Sequence, residues 1–159
     1  KIIAKKFEDI SRGKIKRLIV NMPPRHTKSE FASNLFPAWM LGQKPKLKII
    51  QTTHTAELSY NFGRKVRNLF DQQDFKDVFP TVSLSQDSKA AGRFTTNAGG
   101  EYFAAGVGGA VTTIVGNIKR GQTLGMGVPP HLCKSLGLFA LLHGVEFNGC
   151  AVGVGAANG

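Results

Sequence analysis

Apolar residues recur along this chain in two rhythms. Between residues 1 and 14, Ile3, Phe7 and Ile10 fall three and four apart, the spacing of one helix face, and Gly13 is placed to end the turn. Leu18 to Met22 is apolar except for Asn21 and is halted by Pro23 and Pro24. Such a run suits a strand buried in a parallel sheet. A helical pattern then runs from about Lys28 to Leu41, with Phe31, Leu35 and Trp39 on one face and Phe36 and Met40 beside it. That aromatic stripe reads as core. Pro37 falls inside the pattern, where a proline kinks a helix, or ends one and begins another turn. Gly42 and Pro45 mark the exit.

A second strand is expected over about Leu47 to Thr52, with Thr53 or Thr55 as the cap of a helix that continues to about Phe70. Leu58, Phe62, Val66 and Leu69 share its apolar face. Gly63 lies within it at a cost of about 1 kcal/mol relative to Ala, which points to close packing as its reason. Strand, helix, strand and helix in succession predict an α/β fold with right-handed crossovers on a mainly parallel sheet. Residues 71 to 92 are more broken and read as loop and surface. The spacing of Asp71, Asp74 and Asp77 fits an acidic helix face as well as it fits a metal cluster, so they are not taken as a cluster by default. Arg93 to Thr96 and Glu101 to Ala105 flank Asn97-Ala-Gly-Gly100, a hairpin signature.

Composition narrows the class. A chain of 159 residues, 42% hydrophobic, is long enough for one domain with a real core. Its formal charge of +11 favours polyanionic partners, with simple solubility as the plainer reading. Cys133 and Cys150 support no disulfide framework, and the four His form no zinc set with them, so the expected compartment is reducing. There is no secretory signal and no apolar stretch of membrane-spanning length. The first residue is Lys1, not Met, which suggests a fragment or a processed product.

The candidate chemistry sits between the first strand and the first long helix. The phosphate-binding pattern G-x-x-x-x-G-K-[ST] laid on residues 22 to 29 puts Met22 and Thr27 at the glycine positions, while Lys28 and Ser29 fit. A helix starting near Lys28 aims unpaired backbone N–H groups at the loop, a natural anion site. In that role Lys28 reaches β- and γ-phosphates, Ser29 offers its hydroxyl to Mg²⁺, and Arg25 is a second cation with a planar fork of donors. The plainer reading is a proline-started helix with a solvated basic turn, and His26 reads as a surface histidine. At the end of the second strand, Gln51 and His54 would face the ligand crevice of a parallel sheet, or simply cap it.

Met22-Pro-Pro-Arg-His-Thr-Lys-Ser-Glu30 closely resembles the Walker A segment of tailed-phage terminase large subunits, the DNA-packaging ATPases. Similar too are Ile15 to Asn21, Gln51-Thr-Thr-His54, Phe79-Pro80, and Gly92 to Asn97 running into Gly106 to Thr112. The resemblance covers about residues 8 to 112. It implies a P-loop NTPase-like three-layer sandwich, here incomplete. It also implies ATP and Mg²⁺ as cofactors, bound by Pro24, Arg25, His26, Thr27, Lys28, Ser29 and Glu30, with Arg25 and Lys28 acting on the phosphates and Ser29 on the metal. The intact relative couples ATP hydrolysis to translocation of double-stranded DNA, with the phage portal and the terminase small subunit as partners, in the cytoplasm of an infected bacterium. The family usually has glycine where this chain has Thr27, and a β-branched residue removes that permissive position.

The chain departs from the family after Thr112. No strand ending in paired acids follows, and no acidic residue lies between Glu101 and Glu146. Residues 113 to 159 are glycine-rich and read as too costly to hold in regular structure, apart from a short helix over Leu136 to Val145. Hydrolysis by a P-loop needs Mg²⁺ held from a second acidic strand and an oriented water. Glu30 follows Ser29 too closely to serve as base, and Glu101 matches no catalytic motif. Two alternatives to a packaging ATPase therefore stand: a nonhydrolysing basic nucleic-acid-binding module, and an inactive truncated product.

Overall fold

The computed structural model describes residues 2–15, 17–22, 26–53, 55–106, 123–126 and 150–156. They form a mixed α/β fold. Helix α1 (Ile2–Ser11) precedes strand β1 (Arg17–Met22). A π-helical segment (Glu30–Leu35) then runs directly into α2 (Phe36–Gln43). Next come β2 (Lys48–Thr53), α3 (Ala56–Leu69), α4 (Gln73–Val78), β3 (Leu84–Ala90), β4 (Arg93–Thr96) and β5 (Glu101–Gly106). Two short strands, β6 (Thr123–Met126) and β7 (Cys150–Ala156), complete the set.

All the strands join one sheet in the order β1-β7-β6-β2-β5-β4-β3. Pairing is parallel from β1 through β7, β6 and β2 to β5, and antiparallel across β5, β4 and β3. Parallel pairing aligns the C-terminal ends of β1, β2 and β5 along one edge of the sheet. Although the glycine content of residues 113 to 159 argues against regular structure, β6 and β7 come from that segment and lie between β1 and β2. A strand paired on both sides satisfies its backbone groups in two ladders, which offsets glycine's conformational cost. Leu136 to Val145 and His54 lie outside the described residues.

Helix α3 covers the middle of the sheet. Thr55 caps it, accepting from the Leu58 N–H at 3.2 Å, as its position in the sequence suggests. The Ser59 hydroxyl donates to the Gln51 carbonyl at 3.0 Å, pinning helix to strand. Gly63 lets the two surfaces meet. A Cβ there would stand 2.1 Å from the Ala91 carbonyl oxygen and 3.2 Å from the Tyr102 ring. Beneath it, Phe94 and Tyr102 are direct cross-strand partners, stacked with centroids 4.6 Å apart. Phe70, Phe75 and Phe79 extend this cluster. Beside α3, Phe7 of α1 stacks on Phe36 of α2 at 4.2 Å, and α2 buries Phe36, Pro37, Ala38, Met40 and Leu41.

Residues 71 to 92 hold more structure than their pattern suggests. Strand β3, Leu-Ser-Gln-Asp-Ser-Lys-Ala, lacks apolar alternation and exists as an edge strand through its pairing with β4. The hairpin over Asn97 to Gly100 forms where the Asn and Gly residues place it, with Gly99 at φ +87°.

Candidate phosphate-binding loop

Strand β1 delivers the chain to the loop, and Pro24 and Arg25 lie outside the described residues. The rest of the predicted site is contiguous. His26 and Thr27 are exposed, Lys28 and Ser29 are half-buried in the first helical turn, and Glu30 is exposed at the start of the π-helical segment.

Thr27 is the only non-glycine described residue with positive φ, at +56°. That region is disfavoured for any L-residue and most for a β-branched one, whose Cβ crowds its own carbonyl. The Thr27 hydroxyl donates to the His26 carbonyl at 2.7 Å, a local bond that helps hold the turn. The Phe31 N–H donates to the Thr27 carbonyl at 3.0 Å, so the left-handed residue is also the first acceptor of the helix. A left-handed residue immediately before a lysine and a serine is the geometry that a glycine at this position would adopt freely.

Ser29 makes no capping bond to the helix. Glu30 is tied down the helix, its Oε2 accepting from the Asn34 Nδ2 at 2.7 Å. The bond holds the Glu30 carboxylate along the helix. Asn34 is almost fully buried, and its Oδ1 has no hydrogen-bond partner. Nothing in the spacing of the sequence singles out Asn34. The signal that was present is Pro37, three residues later.

Two other candidates belong elsewhere. Gln51 is fully buried, and its Oε1 accepts from the Tyr102 hydroxyl at 2.6 Å, so it lies in the core and not in the crevice. Burial pushes the Tyr102 phenol up from its ordinary value, which keeps it a donor. Glu101 stands at the N-terminal end of β5, opposite Lys48 at the start of β2. Five residue steps separate it from Gly106, about 16 Å along the strand, at the edge away from the loop. It pairs with Lys48 and Arg93, each at 3.2 Å. Burial raises its pKa, but hydrogen bonds and charge from those two cations outweigh that and hold the carboxyl below its usual value. Lys44 donates to the Ser11 carbonyl at the end of α1. Lys44 and Lys48 are thus both engaged within the fold.

Among the described residues no three His, Cys, Asp or Glu side chains gather into a metal cluster. Strand β7, beside β1, and β6, between β7 and β2, read Cys-Ala-Val-Gly-Val-Gly-Ala and Thr-Leu-Gly-Met and contain no carboxylate. No helix among the described residues is long and apolar enough to cross a membrane. No protein-family model matches the chain, and no curated protein matches it significantly.

Proposed function

We propose that residues 22 to 30 are the phosphate-binding loop of an ATP-binding domain of the kind that powers phage DNA packaging. On this reading the fold is a P-loop three-layer sandwich. The observation that carries the reading is the backbone of Thr27. It holds at φ +56° the position that the phosphate-binding pattern gives to glycine, directly before Lys28 and Ser29. A β-branched residue is kept in a strained conformation only where the surroundings impose it, and such strain gathers at ligand loops.

The chemistry assigned to the site follows from the residues in it. Lys28 contributes a point charge to the terminal phosphates, and Arg25 adds a second cation. The helix start supplies backbone donors. The Ser29 hydroxyl is an oxygen donor of the type Mg²⁺ accepts while it keeps waters and phosphate oxygens as its other ligands. Because β6 and β7 bring no carboxylate between β1 and β2, the described residues are suited to binding ATP rather than to activating the attacking water. This favours, as the second reading, a nonhydrolysing module that uses its basic surface on nucleic acid.

Titration with a fluorescent ATP analogue and Mg²⁺ tests the first reading. Saturable binding is expected, weakened at least about tenfold by Lys28→Ala, with phosphate release near background. A folded chain that shows no saturable binding would remove the nucleotide assignment.

A further inference from the structure

The helix that follows the loop is not uniformly wound. The Phe31 N–H bonds four residues back to Thr27, and the Lys44 N–H bonds four residues back to Met40. Between them the Phe36 N–H donates five residues back, to the Phe31 carbonyl. The helix is α-spaced at its two ends and widened to π spacing in the middle. Isolated π turns of this kind gather at functional sites.

Pro37 accounts for the widening. It has no N–H to give to Ser33, and in an α-helix its ring would press on the Ser33 carbonyl. Opening the turn relieves that clash. Pro37 is fully buried, as are its neighbours Phe36 and Ala38, and Phe36 is stacked on Phe7. The α2 end is anchored in the core, and a change in winding turns the residues before it, the buried Ala32, Ser33 and Asn34 together with the loop-end Lys28 and Ser29. Closing the π turn to α spacing would shift everything before it by one residue of helix. That is about 100° of rotation and about 1.5 Å of rise.

We propose that Pro37 is a positioning residue for the phosphate loop: by holding the π turn open it sets the rotation at which Lys28 and Ser29 meet the phosphates. This rests on the reading of residues 22 to 30 as a phosphate-binding loop. Pro37 touches no ligand; it acts through the helix. A shift of Lys28 and Ser29 by a third of a turn takes both away from phosphates that β1 and the loop hold in place.

The test compares Pro37→Ala, deletion of Leu35, and the two together. Leu35 is exposed within the π segment, so its loss removes a residue of helix without emptying the core. Each single change breaks the match between winding and length, and the combination restores it with ordinary α spacing. Binding of the fluorescent ATP analogue with Mg²⁺ should weaken about tenfold or more in each single variant and return to within about threefold in the combination. Scalar couplings across hydrogen bonds should show the Phe36 N–H of Pro37→Ala bonded four residues back.

Urea denaturation of each variant separates positioning from stability: a merely structural role would lower affinity only in step with the unfolded fraction, whereas the proposal requires affinity to fall in variants that stay folded. Should Pro37→Ala alone fail to fold, the combined variant still decides, since it must fold and bind. Unchanged affinity in Pro37→Ala, a Phe36 bond still five residues back, or no recovery in the combination would each overturn the proposal. If the unaltered chain binds no analogue, the phosphate-loop reading falls and takes this role with it. If the unaltered chain binds and the variants bind equally, only the role of Pro37 falls.

Discussion

At Thr27 the residue type and the backbone disagree, and the conformation prevails over the side chain. A non-glycine residue in the left-handed region costs on the order of 1–3 kcal/mol. The exposed bond from its hydroxyl to the His26 carbonyl returns little of that. Thr27→Gly removes the strain but admits more freedom to the unfolded chain, so the two effects partly cancel. We expect a net gain of about 1 kcal/mol in unfolding free energy, read by urea denaturation, together with tighter binding of the ATP analogue as the Cβ leaves the loop. Thr27→Val should show neither gain, because it keeps the branch and the strain. A less stable Thr27→Gly would mean that Thr27 is held by contacts worth more than its strain. The helix start at Lys28 and Ser29 was legible in the sequence because it is set locally; the sign of φ at Thr27 was not, because no residue type announces a conformation it disfavours.

Gly63 of α3 sets two known effects against each other. Alanine is the better helix former by about 1 kcal/mol. A Cβ there would also stand 2.1 Å from the Ala91 carbonyl, a backbone atom in the turn between β3 and β4. Overpacking of this kind costs about 1–3 kcal/mol and here cannot be relieved by rotating a side chain. Gly63→Ala is expected to lower stability by about 1–2 kcal/mol, with the urea midpoint falling accordingly. A raised midpoint would show that helix propensity decides at this site. Close packing at Gly63 was readable from a costly glycine inside an amphipathic helix. The face of the first long helix was not. Regular 3.6-residue spacing assigns Phe31 and Leu35 to the core, yet they are 47% and 40% exposed, while Ala32, Ser33 and Asn34 between them are buried. The π turn advances the phase by a residue, and a periodicity argument that assumes one winding throughout misplaces that face. The hairpin after β4 was legible because its Asn and Gly residues fix it locally. Strand β3 was not, because only its partner makes it a strand.

Over the whole molecule, charge is what distinguishes the two functional readings. A net +11 on a chain of this size favours association with polyanions, over a screening length of about 8 Å at physiological salt. Part of the basic complement is engaged within the fold, Lys48 and Arg93 with Glu101 and Arg12 with Glu8. Lys5 and Lys6 on α1 and Arg64 and Lys65 on α3 are exposed, on elements other than the loop. Duplex DNA is therefore expected to bind without sequence preference. The logarithm of its association constant should fall linearly with the logarithm of salt concentration, with a slope of about −0.9 per phosphate neutralised. If the loop is a nucleotide site and the duplex meets other surfaces, neither saturating ATP analogue with Mg²⁺ nor Lys28→Ala changes that slope. A nucleic-acid module that uses the loop cations behaves otherwise: the analogue competes with the duplex, and Lys28→Ala lowers the slope by about 0.9. Salt titrations by fluorescence anisotropy, with and without the analogue, separate the two. Competition at constant ionic strength would assign the loop to nucleic acid, because screening alone is already matched between the two arms.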